Sequence, residues 1–145
     1  MNRGGLNMLR PILLIEDNQV DAELTQRAFK RRKMANPVEV VPDGARALDW
    51  LEKWGRGSTL PQVVVLDWRL PGQVNGLEVL RRFKAHPQLN RLPVVIFSAC
   101  SQGEEIRSAY QNGASSYIIK PVDYTAYLDA AGQIDRYWGA VNEAA

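Results

Sequence analysis

Five short apolar-rich runs punctuate the chain: ILLI at 12–15, VEVV at 38–41, VVVL at 63–66, LPVVIF at 92–97 and SYII at 116–119. Each is too short for a membrane span, and most are too β-branched for a helix, so they predict strands. Between them apolar residues recur at helical spacing. Val20, Leu24 and Ala28 mark a first helix, and Ala47, Leu48, Leu51 and Trp54 a second that Gly55 and Gly57 close. Leu77, Leu80 and Phe83 mark a third, stopped by Pro87. A fourth covers 102–112 with Ile106, Ala109 and Tyr110 inward, ending at Asn112-Gly113. The last, 124–138, carries Tyr124, Tyr127, Leu128, Ala131, Ile134 and Trp138, a wider apolar set than one core-facing stripe requires. Strand-helix alternation predicts an α/β domain, a doubly wound parallel sheet covered by helices on both faces. Right-handed crossovers leave few topologies, of which 2-1-3-4-5 is the most common for five units. The domain spans 11–140, after a flexible lead-in at 1–10 containing Gly4-Gly5 and before a short tail at 141–145.

In such a sheet, ligand chemistry gathers beyond the carboxyl ends of the strands at the switch point. The central run VVVL ends in Asp67, and Pro71-Gly72 then turns the chain. The first strand ends in Glu16-Asp17, the fourth in Ser98-Ala99-Cys100-Ser101 and the fifth in Lys120-Pro121. Three carboxylates drawn together repel, by about 4 kcal/mol for a pair 4 Å apart at an effective dielectric near 20. Lys120 supplies one compensating charge, and a hard divalent cation, Mg²⁺, supplies the rest on Asp17 and Asp67, with Glu16 reaching it through water. A metal with open positions accepts phosphoryl oxygens, so Asp67 is a candidate carboxylate nucleophile, with Lys120 and the Ser98 hydroxyl sharing the transferred charge.

Composition narrows the field. The chain has 145 residues, 46% of them hydrophobic, which suits one domain with an ordinary core. Eighteen basic against sixteen acidic side chains give a net charge of +2, too weak a field to call for nucleic acid or anionic lipid. The basic cluster Arg27, Lys30, Arg31, Arg32 and Lys33 reads as a solvated helix end favoured by the dipole in preference to a nucleic-acid patch. One cysteine, Cys100, forms no internal disulfide, and one histidine, His86, builds no Cys/His site, so any metal is held by oxygen. The amino-terminal segment, in which Met8 offers an alternative start, fits neither signal peptide nor anchor, and a soluble cytoplasmic protein is expected. Trp50, Trp54 and Trp138 read as packing residues.

The ordered set formed by Glu16-Asp17, LDWRLPG with Asp67, Asn75-Gly76, Ser98-Ala99, and Tyr117 with Lys120-Pro121 resembles the response-regulator receiver domain of two-component signalling, over about residues 9–140. The run IEDNQVDAELTQRAF also resembles the stand-alone receivers that partner phytochrome-type histidine kinases. The resemblance implies a flavodoxin-like fold with Asp67 as phosphoacceptor. It implies Mg²⁺ bound by Glu16, Asp17, Asp67 and the backbone carbonyl of Arg69, phosphoryl contacts from Ser98, Ala99 and Lys120, a switch pair of Ser98 and Tyr117, and a cis bond ahead of Pro121. The new charge would draw Ser98 inward, let the Tyr117 ring fill the vacated space, and remodel the face of helix 4, strand 5 and helix 5.

Two features depart from the family pattern. The loop LPGQVNG is one residue longer than the commonest spacing, and Ser98 replaces a more frequent threonine. Arg69 and Cys100 stand at positions that tune hydrolysis in this family, and neither is a water-positioning amide or acid, so slow phosphate loss is expected. A flavodoxin-like electron carrier would need a hydroxyl- and glycine-rich loop where Glu16-Asp17 stands, and an aspartyl-phosphate phosphohydrolase needs an acid where Arg69 stands. A pure interaction module is the remaining rival. The expectation is a single-domain response regulator, not an enzyme beyond catalysing its own phosphorylation and dephosphorylation, with no output domain. It would take phosphate from a sensor histidine kinase and act on a downstream protein or a phosphotransfer partner. The apolar helix 5 adds an expectation of homodimerisation.

Overall fold

A computed structural model describes residues 9–137. Runs of β-branched and aliphatic residues leave no strand face for water, and the chain arranges them accordingly. Strands β1 (Ile12–Ile15), β3 (Val63–Leu66) and β4 (Val94–Ser98) are buried at every position. The flanking strands β2 (Val38–Val41) and β5 (Ser116–Ile119) are only partly buried. All neighbours are parallel, in the order β2-β1-β3-β4-β5.

Five helices connect and cover the strands: α1 (Gln19–Arg31), α2 (Gly44–Gly55), α3 (Gly76–Ala85), α4 (Gly103–Gln111) and α5 (Tyr124–Gly132). Their amino termini are set by side chains that accept from orphan N–H groups. Asn18 caps α1, Asp43 caps α2, Asn75 caps α3 and Asp123 caps α5, whereas Gln102 gives α4 no side-chain cap.

Alternate strand residues feed two cores, as the two-residue period of a strand requires. Leu13, Ile15, Val64, Leu66, Val94 and Ile96 pack on one face with Trp54, Leu80 and Phe83 from α2 and α3. Ile12, Leu14, Val63, Val65, Val95 and Phe97 pack on the other with Phe29, Tyr127, Leu128, Ala131 and Ile134. Each such large side chain contributes roughly 1.5–3 kcal/mol on burial. The Trp54 ring meets Trp50 at 5.8 Å and the edge of Phe83 at 5.4 Å, so these tryptophans are packing residues.

Some sequence expectations change. Tyr110 is 48% exposed instead of inward, because its hydroxyl accepts the N–H of Tyr117 at 3.0 Å across the open edge of β5. Val20 is exposed too, leaving Ala22, Thr25, Ala28 and Phe29 as the buried face of α1. The fourth strand starts at Val94, after Leu89 and Leu92 have packed as a turn. Helix α5 stops at Gly132 and tightens into a 3₁₀ turn, Gln133–Tyr137. The width of its apolar set is explained by burial of Tyr127, Leu128, Ala131 and Ile134, while Tyr124 stays half exposed. Trp138, the tail and residues 1–8 of the lead-in fall outside the described residues. No helix among the described residues is long and apolar enough to cross a membrane.

Candidate functional site

Strand register builds the site. Ile15 pairs with Leu66, so Glu16 and Asp67 emerge side by side one step beyond, tied by the Asp67 N–H to the Ile15 carbonyl at 3.0 Å. Ser98 pairs with Ile119, so Lys120 emerges one step past Ser98, its N–H on the Ser98 carbonyl at 2.8 Å. Residues as far apart in sequence as Glu16 and Lys120, 104 positions, thus meet at one mouth of the sheet.

The centre of the mouth is a buried ion cluster. The Lys120 ammonium bonds Glu16 Oε1 at 2.6 Å, Asp21 Oδ2 at 2.9 Å and Asp67 Oδ2 at 3.1 Å, and its side chain is 6% exposed. Burial disfavours its charge, but Asp67, Glu16 and Asp21 outweigh that and hold its pKa above the ordinary lysine value. Glu16 moves numerically the same way for the opposite reason. Burial and then the charge of Asp67 push its carboxyl up to about 7, against the pull of Lys120 and the Asn18 N–H. Asp17 stands beside them, exposed, and makes no bond to the lysine.

Glu16, Asp17 and Asp67 each offer an oxygen, and these atoms lie within 4.8 Å of one another. An all-oxygen set with one solvent-exposed member suits a hard divalent cation that keeps some of its water.

On the other side of Asp67 the contacts are mostly between neutral groups. Ser98 is buried, and its Oγ accepts the Cys100 N–H at 3.2 Å. The half-buried Tyr117 donates its hydroxyl to the Cys100 carbonyl at 2.7 Å, and its ring lies 6.5 Å from that of Trp68. Burial, then the neighbouring Cys100, raise the Tyr117 pKa. The exposed Arg69 reaches Cys100 Sγ at 3.4 Å, while its N–H faces Asp67 Oδ1 at 3.3 Å. Ala99 is exposed beside them. Gly76 lets α3 begin against this loop, since a Cβ there would stand 2.7 Å from the Trp68 carbonyl and 2.8 Å from that of Asp67.

Glu16, Asp17, Asp67 and Lys120 therefore lie together, and one expectation is corrected. No peptide bond among the described residues is cis, so the bond ahead of Pro121 is trans. An X-Pro bond prefers trans by about 0.5–1 kcal/mol, and Lys120 reaches all three carboxylates with it so. Two participants escaped the sequence reading. Asp21 looked like an ordinary acid in a first helical turn, and nothing in the spacing tied it to Lys120. Trp68 bonds Glu105 of α4 through its indole N–H, a pairing no spacing announces.

Comparison with known proteins identifies relatives of the chain. A family model described as "Response regulator receiver domain" matches residues 12–131. The probable methanogenesis regulatory protein FilR2 of Methanothrix harundinacea is 40% identical over 128 residues, covering 88% of this chain and 82% of that protein. Response regulator Rcp1 of Synechocystis is 28% identical over 134 residues, covering 91% and 90%. The Mn²⁺-bound crystal structure of Rcp1 superposes with a TM-score of 0.82 at 26% identity, covering 94% of this chain and 99% of that one. The phosphorylated cyanobacterial phytochrome response regulator RcpA gives 0.81 at 30% identity, covering 90% and 94%.

Proposed function

The chain belongs to the response-regulator receiver family of two-component signalling, and from that premise we propose that it accepts a phosphoryl group on Asp67 from the phosphohistidine of a sensor histidine kinase, with Mg²⁺ bound. The observation that carries this reading is the buried Asp67 carboxylate held between the Lys120 ammonium and the oxygens of Glu16 and Asp17. The relatives Rcp1 and RcpA, the second described as a phytochrome response regulator, support a phytochrome-type kinase as the donor.

A carboxylate oxygen of Asp67 attacks phosphorus as the P–N bond to the donor imidazole breaks. The imidazole nitrogen keeps the bonding pair and takes up a proton. Mg²⁺, held by Asp17, Asp67 and the Arg69 carbonyl with Glu16 acting through water, would supply positive charge to the phosphoryl oxygens. Lys120 gives one N–H to the same group, and Ser98 and the Ala99 N–H approach it from the β4 side. The departure of Ser98 from its bond with Cys100 would shift Tyr117 and Trp68, and through Glu105 the α4 face that a downstream protein or phosphotransfer partner reads. The Arg69 guanidinium over Cys100 supports slow hydrolysis, because neither group positions a water for attack. We place this work in the cytoplasm.

Intact-protein mass after incubation with acetyl phosphate and Mg²⁺ tests the reading. One added phosphoryl group is expected in the wild type, and none in Asp67→Asn or with a chelator. A wild type that gains no mass would refute it.

A further inference from the structure

An ammonium on a flexible four-carbon stem has no aim of its own; its acceptors give it one. Lys120 has three N–H donors, and three carboxylates receive them. Two of these, Glu16 and Asp67, belong to the cation cluster, whereas Asp21 does not. The Asp21 backbone is anchored largely outside that cluster. Its N–H is bound by Asn18 Oδ1 at 3.0 Å, and its carbonyl receives Thr25 Oγ1 at 2.8 Å and the Tyr127 hydroxyl at 3.2 Å. Thr25 and Tyr127 also bond each other at 3.1 Å, and the Tyr127 ring packs edge-on against Phe97 at 5.1 Å. The leg therefore stands on the packing of α1 against α5.

We infer that Asp21 is a positioning residue, whose carboxylate aims the Lys120 ammonium at the Asp67 oxygen and keeps it aimed when a divalent cation engages Glu16 and Asp67. This rests on the phosphoacceptor reading above and adds to it a residue outside the acidic cluster. When Asp67 carries a phosphoryl group, the N–H now given to Asp67 passes to a phosphoryl oxygen. The N–H given to Asp21 stays where it is.

Two variants of the full chain separate aim from charge. Asp21→Asn keeps an oxygen acceptor and loses the charge, and Asp21→Ala loses both. The backbone carbonyl that Thr25 and Tyr127 hold survives in each, and far-UV circular dichroism checks the fold. With phosphoramidate and saturating Mg²⁺, the maximal phosphorylation rate of Asp21→Ala should fall roughly tenfold or more, the scale of a misplaced catalytic group. Its half-saturating phosphoramidate concentration should be unchanged, and Asp21→Asn should stay within about threefold of wild type. A second readout needs no phosphate: the side-chain ¹⁵N signal of the Lys120 ammonium, with Mg²⁺ present, should persist in the wild type and Asp21→Asn and vanish in Asp21→Ala. Wild-type rate and signal in Asp21→Ala overturn the inference, as does an Asn variant that falls as far as the Ala one. A wild type that takes no phosphoryl group defeats the phosphoacceptor reading instead, and the ammonium signal still decides the part played by Asp21.

Discussion

The two flanks of Asp67 are built differently. Toward β1 and β5 the contacts are charged and short, 2.6 to 3.1 Å from Lys120 to its three carboxylates, and the adjoining α1 is capped by Asn18. Toward β4 and α4 they are mostly neutral, 2.7 Å from the Tyr117 hydroxyl to the Cys100 carbonyl, 3.2 Å from Cys100 N–H to Ser98 and 3.4 Å from Arg69 to the Cys100 sulfur. There α4 begins with no side-chain cap at all. Charge-assisted bonds in a buried site are costly to break, whereas neutral ones exchange at about 1 kcal/mol each. The first flank is suited to hold a group in place, and the second to change when a new charge arrives.

The hardest blow to this contrast is Lys120→Met. Removing one partner of a buried ion pair typically costs 3–5 kcal/mol, because the remaining charge stays buried. A loss of about 3 kcal/mol in urea unfolding at pH 7 is expected, partly restored by Mg²⁺. An unchanged midpoint would mean that the carboxylates on that flank are not held by the lysine.

The pH dependence of the same flank comes next. Glu16 has a folded-state pKa of about 7 against an ordinary value of 4.5, so between those values the folded chain holds a proton that the unfolded chain has lost. Stability without metal should therefore fall as pH rises from about 4.5 to about 7. At about 1.4 kcal/mol per tenfold change in proton affinity, the fall is on the order of 3 kcal/mol. Denaturant midpoints across that range would reveal the slope, which Glu16→Gln should remove and saturating Mg²⁺ should flatten. A slope of the opposite sign would show that Lys120 dominates Glu16.

How much of this was legible in the sequence follows from where the forces lie. Buried strands need consecutive apolar residues, so the sheet could be read directly, and parallel register then brings Glu16, Asp67, Ser98 and Lys120 to one mouth. The caps at Asn75 and Asp43 sit where helical spacing begins. Tyr110 misled because helical spacing gives no warning of an unpaired N–H on a neighbouring edge strand. Asp21 was silent because an acid in a first turn already has a sufficient reason in the helix dipole. The trans bond at Pro121 departs from a family expectation, not from anything the residues dictate. The pairing of Trp68 with Glu105 depends on how α4 leans on the sheet, which no local pattern encodes.

The smallest effect is expected from Tyr117→Phe, and it sharpens the comparison most. The ring remains against Trp68, and the loss is one hydroxyl bond to the Cys100 carbonyl, worth about 1 kcal/mol of stability. Mg²⁺ affinity, followed by titration calorimetry, should be unchanged, because neither Tyr117 nor Cys100 bonds a member of the acidic cluster through the broken contact. Phosphorylation by acetyl phosphate should proceed at the wild-type rate, while the response of Trp68 fluorescence to it should shrink. A Tyr117→Phe protein that bound Mg²⁺ several-fold more weakly would show that the two flanks are one mechanical unit, and the division between a holding side and a responding side would have to be given up.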